Sequence, residues 1–395
     1  MMDSSLPAVP HRFSPAGGVL LLAGLALAAF FPRAAPAQSL LPVVQPFVDR
    51  GEVAGAVMLV ADAERILALE AAGSADVAAV KPMPTDAMFW IASQSKPMTA
   101  AALMILVDAR MVGLDDPVEK HLPEFRGQRV VVEKTDDRTV LARPSHPITV
   151  REILDHTSGL PFRSELEAPT LDRWPLEARV RSYAATPLDF EPGTRYQYSN
   201  AGINTAARIV EVVSGLPFET FLDERLFRPL GMTDTTFWPD KAQAARVATA
   251  YKPGPDKTGL VATTIDQLHY PLGDRSERAA MPAGGLFSTA RDVARFYQML
   301  LNRGQWQGTR VLSEAAVDEL TRRQTPDELP TSYGLGFSTG PGTFGHGGAY
   351  STNTVAHVPQ GIVTVWLVQH AGFPGTGDQA EGTFRAKALE AFGKR

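Results

Sequence analysis

The chain has no cysteine, which excludes disulfides, thiol nucleophiles, thiolate metal sites and lipid attachment through a cysteine. It also lacks any excess of basic charge: 38 Lys and Arg stand against 43 Asp and Glu, a formal net charge of −5. With no basic field and no Lys/Arg run, a nucleic-acid partner is not expected. Long apolar runs are missing too. The longest, Gly17 to Phe31, is short of the roughly 20 residues that cross a bilayer as a helix. No stable membrane insertion of the mature chain is therefore expected. There is no H-E-x-x-H, no G-x-S-x-G elbow and no P-loop, so neither a metal nor a cofactor is implied.

What is present is an ordinary globular balance, 44% hydrophobic and 21% charged over 395 residues, with ample apolar material for a large core. At the N-terminus, His11 and Arg12 precede the apolar run, and Ala35-Pro36-Ala37 follows it. Basic, apolar and small-residue parts in that order read as a secretory signal, residues 1–37, cut near Ala37-Gln38. The alternative is an uncleaved anchor. Cleavage would leave a periplasmic or secreted protein beginning at residue 38.

Leu41 to Asp49 reads as an amphipathic helix, and Gly55–Ala61 with Arg65–Leu69 as a hairpin. From Lys96 to Val107 nearly every residue is apolar or small, which predicts a helix buried on all sides. Arg129–Glu133 and Arg138–Leu141 suggest a surface hairpin. Thr289 is placed to cap a helix reaching Leu301, and strands are expected at Gly334–Ser338, Ser351–Val358 and Val363–Gln369 before a last helix over Gln379–Phe392. Strands near both ends with helices between predict an α/β (α+β) fold. In it, residues 38–113 and 286–395 build one antiparallel sheet flanked by helices, and 114–285 form a mostly helical insert.

Three stretches carry chemistry. Ser93-Gln94-Ser95-Lys96 stands at the head of the buried helix, where Pro97 is tolerated because first-turn N–H groups are unpaired. Residues three apart share a helical face, so Lys96 would project beside Ser93; a serine hydroxyl needs such a neighbour to take its proton. Next comes Tyr196-Gln197-Tyr198-Ser199-Asn200, after the turn Glu191-Pro192-Gly193. A phenol near an ammonium group has a lowered pKa, which would let Tyr198 act as a base toward Ser93, with Asn200 contacting an acyl amide. Last is Phe344-Gly345-His346-Gly347-Gly348-Ala349-Tyr350, read as the start of a strand. Its glycines would admit a substrate close to the backbone, and its N–H groups would meet a developing oxyanion. Histidines 121, 146, 156, 269, 357 and 370 are scattered and read as structural or exposed, with His156 as a turn cap.

In this order and spacing, Ser93-Gln94-Ser95-Lys96, Tyr198-Ser199-Asn200 and His346-Gly347-Gly348 resemble the S-x-x-K, Y-x-N and K-T-G elements of the serine β-lactamase and penicillin-binding protein family. The likeness is to the class C β-lactamase-like and family VIII esterase branch. Asp155-His156-Thr157-Ser158-Gly159-Leu160-Pro161, Leu230-Gly231-Met232 and Pro282 to Ser288 resemble it as well. The resemblance implies Ser93 as nucleophile, Lys96 and Tyr198 as its proton acceptors in an order left open, and Asn200 as an amide contact. It implies the N–H groups of Ser93 and Ala349 as the oxyanion hole. His346 departs from the family, whose lysine meets a substrate carboxylate; a mostly neutral imidazole favours uncharged esters or amides over anionic β-lactams. The expected partner is a small ester, amide or peptide. The other readings are a slowly acylated binder of penicillin or cell-wall fragments, and an acyltransferase using the same site. No feature fixes an oligomeric state.

Overall fold

Helix α1 (Leu41–Asp49) leads into strands β1 (Gly55–Asp62) and β2 (Ile66–Asp76), followed by the short β3 (Lys81–Pro82) and helix α2 (Ser95–Asp108). Helix α3 (Asn200–Ser214) lies in the middle of the chain. Helix α4 (Ala290–Leu301), strands β4 (Ser338–Gly340), β5 (Thr343–Gly347), β6 (Asn353–His357) and β7 (Ile362–Leu367), and helix α5 (Ala380–Phe392) complete it. The structure is a computed structural model and describes residues 39–394; the signal-like segment and its Ala37-Gln38 junction lie outside the described residues.

The seven strands form one sheet in the order β4-β5-β6-β7-β1-β2-β3. Every pairing is antiparallel, and β1 joins the two ends of the chain through Val57↔Leu367 and Leu59↔Val365. β1 is apolar at nearly every position because both its faces are covered. Val57, Leu59 and Ala61 enter a cluster with Leu103 of α2 and Phe296 of α4. Ala56, Met58 and Val60 enter a second one with Val44 of α1 and Phe384 of α5. The first cluster continues without a break to Ile203 of α3 and Phe218 beyond it. The all-round apolar surface of α2 follows from this position, between sheet and α3.

Segment 114–285 carries helices at Val150–Leu154, Leu176–Ala185 and Phe218–Leu222 besides α3. The expected hairpin is there, at Val130–Lys134 and Thr139–Ala142. A second one, Ala250–Pro253 with Leu260–Thr263, is also present. Two expectations need correction. Gly334–Phe337 is not strand, which begins only at Ser338: Gly334 N–H donates to the carbonyl of Phe337 at 2.8 Å, and Gly336, at φ +74°, packs against the backbone of Lys96. The glycine-rich stretch around His346 ends a strand rather than starting one, since β5 closes at Gly347 and a turn follows.

Candidate active site

A single 3-10 turn, Ala92–Gln94, precedes α2 and holds Ser93 half-exposed at its mouth. Ala92 has φ +48°, a left-handed conformation that costs a non-glycine residue about 1–3 kcal/mol. The surroundings enforce it. Ser95 Oγ donates to the Ala92 carbonyl at 2.7 Å and accepts from Leu286 N–H at 3.2 Å, while Ile91 N–H donates to the Leu286 carbonyl. Ser95 is thus a tether, and Ser93 is the free hydroxyl.

Lys96 is fully buried, yet no carboxylate is among its partners. Its Nζ donates to Asn200 Oδ1 at 2.8 Å and to the Ala283 carbonyl at 2.7 Å, and lies 3.1 Å from Ser93 Oγ. Burial holds this amine well below the ordinary lysine value of 10.5, because an ammonium group without water or a counter-charge is disfavoured. A neutral amine has two N–H groups and one electron pair. With both hydrogens taken by the two oxygens, the pair faces the Ser93 hydroxyl.

Tyr198 covers the same amine, which sits 4.6 Å from its ring centroid. Contrary to the expectation of a lowered phenol pKa, burial raises Tyr198 above the usual 10, with a hydrogen bond to Ser93 opposing. Taking a phenolate out of water outweighs what the neighbouring amine offers it. Ser199 then caps α3: its Oγ accepts from Gly202 N–H at 3.0 Å and donates to the Pro161 carbonyl. This sets Asn200 in the first turn of the helix, beside Lys96.

Opposite them, β5 runs past Ser93. A Cβ on Gly345 would meet the Thr354 carbonyl at 2.1 Å, and one on Gly348 would meet Thr352 Oγ1 at 2.2 Å and the Ile91 carbonyl at 2.5 Å. Protein atoms, rather than a substrate, require these two glycines. Only Gly347 keeps an open face. The Ser93 N–H, in a first turn, has no intrahelical partner, and among the described residues no carbonyl accepts from Ala349 N–H. Both donors remain available to a ligand.

Ser93, Tyr198, Asn200, Gly347, Gly348 and Ala349 line one cleft of about 330 Å³, with Trp90, Phe162 and Met281 as its apolar walls. Size does not distinguish it: a cavity of equal volume lies beside Phe125, Arg129 and Arg143, but no hydroxyl side chain lines it.

Lys96, buried against Ser93 Oγ, does not itself line the cleft, and neither does His346. The histidine is buried, and both its nitrogens are engaged. Nδ1 lies 2.6 Å from the Gly347 carbonyl and so must donate, which leaves Nε2 to accept from Tyr333 OH at 2.9 Å. Burial pulls its pKa down to about 3, so it is neutral, as expected, but it braces the strand end instead of facing a ligand. His156 was also misread. Rather than capping its own turn, it brackets Tyr198: its carbonyl accepts from Gln197 N–H at 2.9 Å and its Nδ1 from Ser199 N–H at 3.2 Å, and its ring lies 4.6 Å from that of Tyr198. The only sequence signal for this was its place in the Asp155–Pro161 motif.

The sequence model of the Beta-lactamase family matches residues 42–388. An uncharacterized protein of Mycobacterium tuberculosis is 32% identical over 366 residues, covering 83% of this chain and 88% of its own. The lovastatin esterase of Penicillium rubens is 27% identical, over 81% of this chain and 82% of that one. Among solved structures, EstCE1, a hydrolase with promiscuous acyltransferase activity, superposes with a TM-score of 0.72 at 24% identity, covering 88% of this chain and 97% of its own. At that identity the likeness speaks to the fold alone.

Proposed function

The chain belongs to the Beta-lactamase family of serine hydrolases, and on that premise we propose that it hydrolyses small uncharged esters through an acyl-enzyme on Ser93. In this reading Ser93 Oγ attacks the ester carbonyl as its proton passes to Lys96 Nζ. The N–H groups of Ser93 and Ala349 meet the oxyanion. Tyr198, a neutral phenol, donates a hydrogen bond to the leaving alkoxide, which takes its proton from Lys96, and water then releases the acid in the second half-reaction.

The observation that carries the choice of ester is the lining of the cleft, which contains no Lys, Arg, His, Asp or Glu. A substrate carboxylate would be desolvated there with no cation to meet it. Amides with a charged end, D-alanyl dipeptides and β-lactams all carry such a group. We expect kcat/KM for a short p-nitrophenyl ester to exceed that for a chromogenic cephalosporin by about 10²-fold or more, the equivalent of ~2.7 kcal/mol. Steady-state assays on purified protein decide it: equal or better turnover of the cephalosporin would overturn the ester reading, and fluorophosphonate labelling without ester turnover would favour a binding protein.

We also propose that the protein is exported. The support is the basic, apolar and small-residue order of residues 11–37. Sequencing the N-terminus of protein recovered outside the cytoplasm should give Gln38 or a near neighbour, and a retained Met1 would refute cleavage.

A further inference from the structure

Asn204 stands one turn beyond Asn200 on α3, fully buried, and the chemistry above makes no use of it. Its Oδ1 accepts from Ala283 N–H at 3.1 Å, and the carbonyl of that same residue accepts from Lys96 Nζ at 2.7 Å. Its Nδ2 donates to Tyr183 OH at 3.0 Å and faces Glu167 Oε1 at 3.4 Å; Tyr183 OH in turn donates to Glu167 Oε1 at 2.7 Å. The amide cannot be reversed, since that would turn its donors onto the Ala283 N–H and its oxygen onto an acceptor.

Two of the chain's four asparagines therefore account for both oxygens that meet Lys96. Asn200 supplies one directly, and Asn204 holds the N–H of the residue that supplies the other. The peptide that carries the Ala283 carbonyl is held on its far side by Gly284 N–H, which donates to the Met281 carbonyl at 3.0 Å; were Ala283 released at its own N–H, the carbonyl could shift, the amine could turn about its Cε–Nζ bond and its electron pair would leave the serine. We propose that Asn204 is a positioning residue, which keeps Lys96 Nζ aimed at the Ser93 hydroxyl by anchoring the Ala283 backbone at its N–H. The proposal rests on the acyl-enzyme reading: as the bond from Oγ to the acyl carbon forms, the O–H bond breaks and its proton becomes the third N–H of Lys96, later passed to the leaving alkoxide.

The test compares wild type with Asn204→Leu, which cannot accept a hydrogen bond, and Tyr183→Phe, which removes the partner that holds the far end of the amide. The rate of fluorophosphonate labelling is measured per titratable site, along with KM for a p-nitrophenyl ester and the thermal midpoint. A displacement of the base of even 1 Å costs about 10²-fold. Asn204→Leu is expected to label about 10²-fold more slowly per site with KM within about twofold, and Tyr183→Phe about 3- to 10-fold more slowly. A purely structural role gives fewer active sites or a lower midpoint with the wild-type rate at each site, and that result overturns the proposal. If Asn204→Leu does not fold, an unchanged rate per site in Tyr183→Phe overturns it alone. Wild type that takes no label at Ser93 would instead remove the acyl-enzyme reading, and this proposal with it.

Discussion

Ser93→Ala is expected to lower kcat/KM for a short ester by about 10⁴-fold or more, while the thermal midpoint moves by no more than about 2–4 °C. The two halves of this result come from the same geometry. Ser93 Oγ is half-exposed at the cleft and meets Lys96 Nζ at 3.1 Å, so its removal takes away the attacking atom. Lys96 keeps Asn200 Oδ1 and the Ala283 carbonyl, so no buried donor is orphaned and stability should stay within about 1 kcal/mol. Ser95, two residues on, has the opposite character: it is buried, and its bonds to Ala92 and Leu286 hold the strained turn in place. Ester turnover, fluorophosphonate labelling and thermal melting of the same preparation give the answer. Residual turnover above about 1% of wild type, in protein free of contaminating esterase, would move the nucleophile elsewhere.

The parts of this site that could be read from the sequence are those set by local rules. Ser93 and Lys96 share one face at the head of α2 because they are three apart, and Pro97 fixes where that helix can begin. Asn200 follows Tyr198 by two because Ser199 caps α3. The sheet was legible for a similar reason: two-sided burial leaves a continuous apolar run, as in β1. The rest depended on partners far away in the chain. Ala283, 79 residues from Asn204, contributes its backbone carbonyl and its N–H, which no side-chain pattern announces. The bracing role of His346 needs Tyr333, which immediately precedes the Gly334–Ser338 stretch that reads as a strand yet folds largely as a turn against α2. Gly345 and Gly348 invite a substrate-approach reading until the Thr354 and Ile91 carbonyls are seen filling that space. The phenol of Tyr198 shows the same limit, since proximity to a lysine was visible and the burial that raises the phenol and lowers the lysine was not.

The lowered pKa of Lys96 sets the second large effect. Lys96→Met keeps the length and apolar stem of the side chain and removes the proton acceptor; we expect kcat/KM to fall by about 10³-fold, within the range general-base groups contribute. The pH dependence separates this from a packing defect. In the folded protein Lys96 is held well below 10.5 by burial, so wild-type kcat/KM should rise with pH through an acidic limb that reports its deprotonation, and the Met variant should lack that limb. Stability carries the mirror signature. Below pH 10.5 the unfolded chain binds a proton at Lys96 that the folded chain releases, so wild type is destabilised by this group at neutral pH and regains stability as pH rises toward 10.5. The difference in thermal midpoint between wild type and Lys96→Met should therefore shift in favour of wild type between pH 7 and pH 10. A Met variant that keeps more than about a tenth of the activity and the same acidic limb would hand the first proton to Tyr198 instead, and the ammonium form of Lys96 would have to be reinstated beneath its ring.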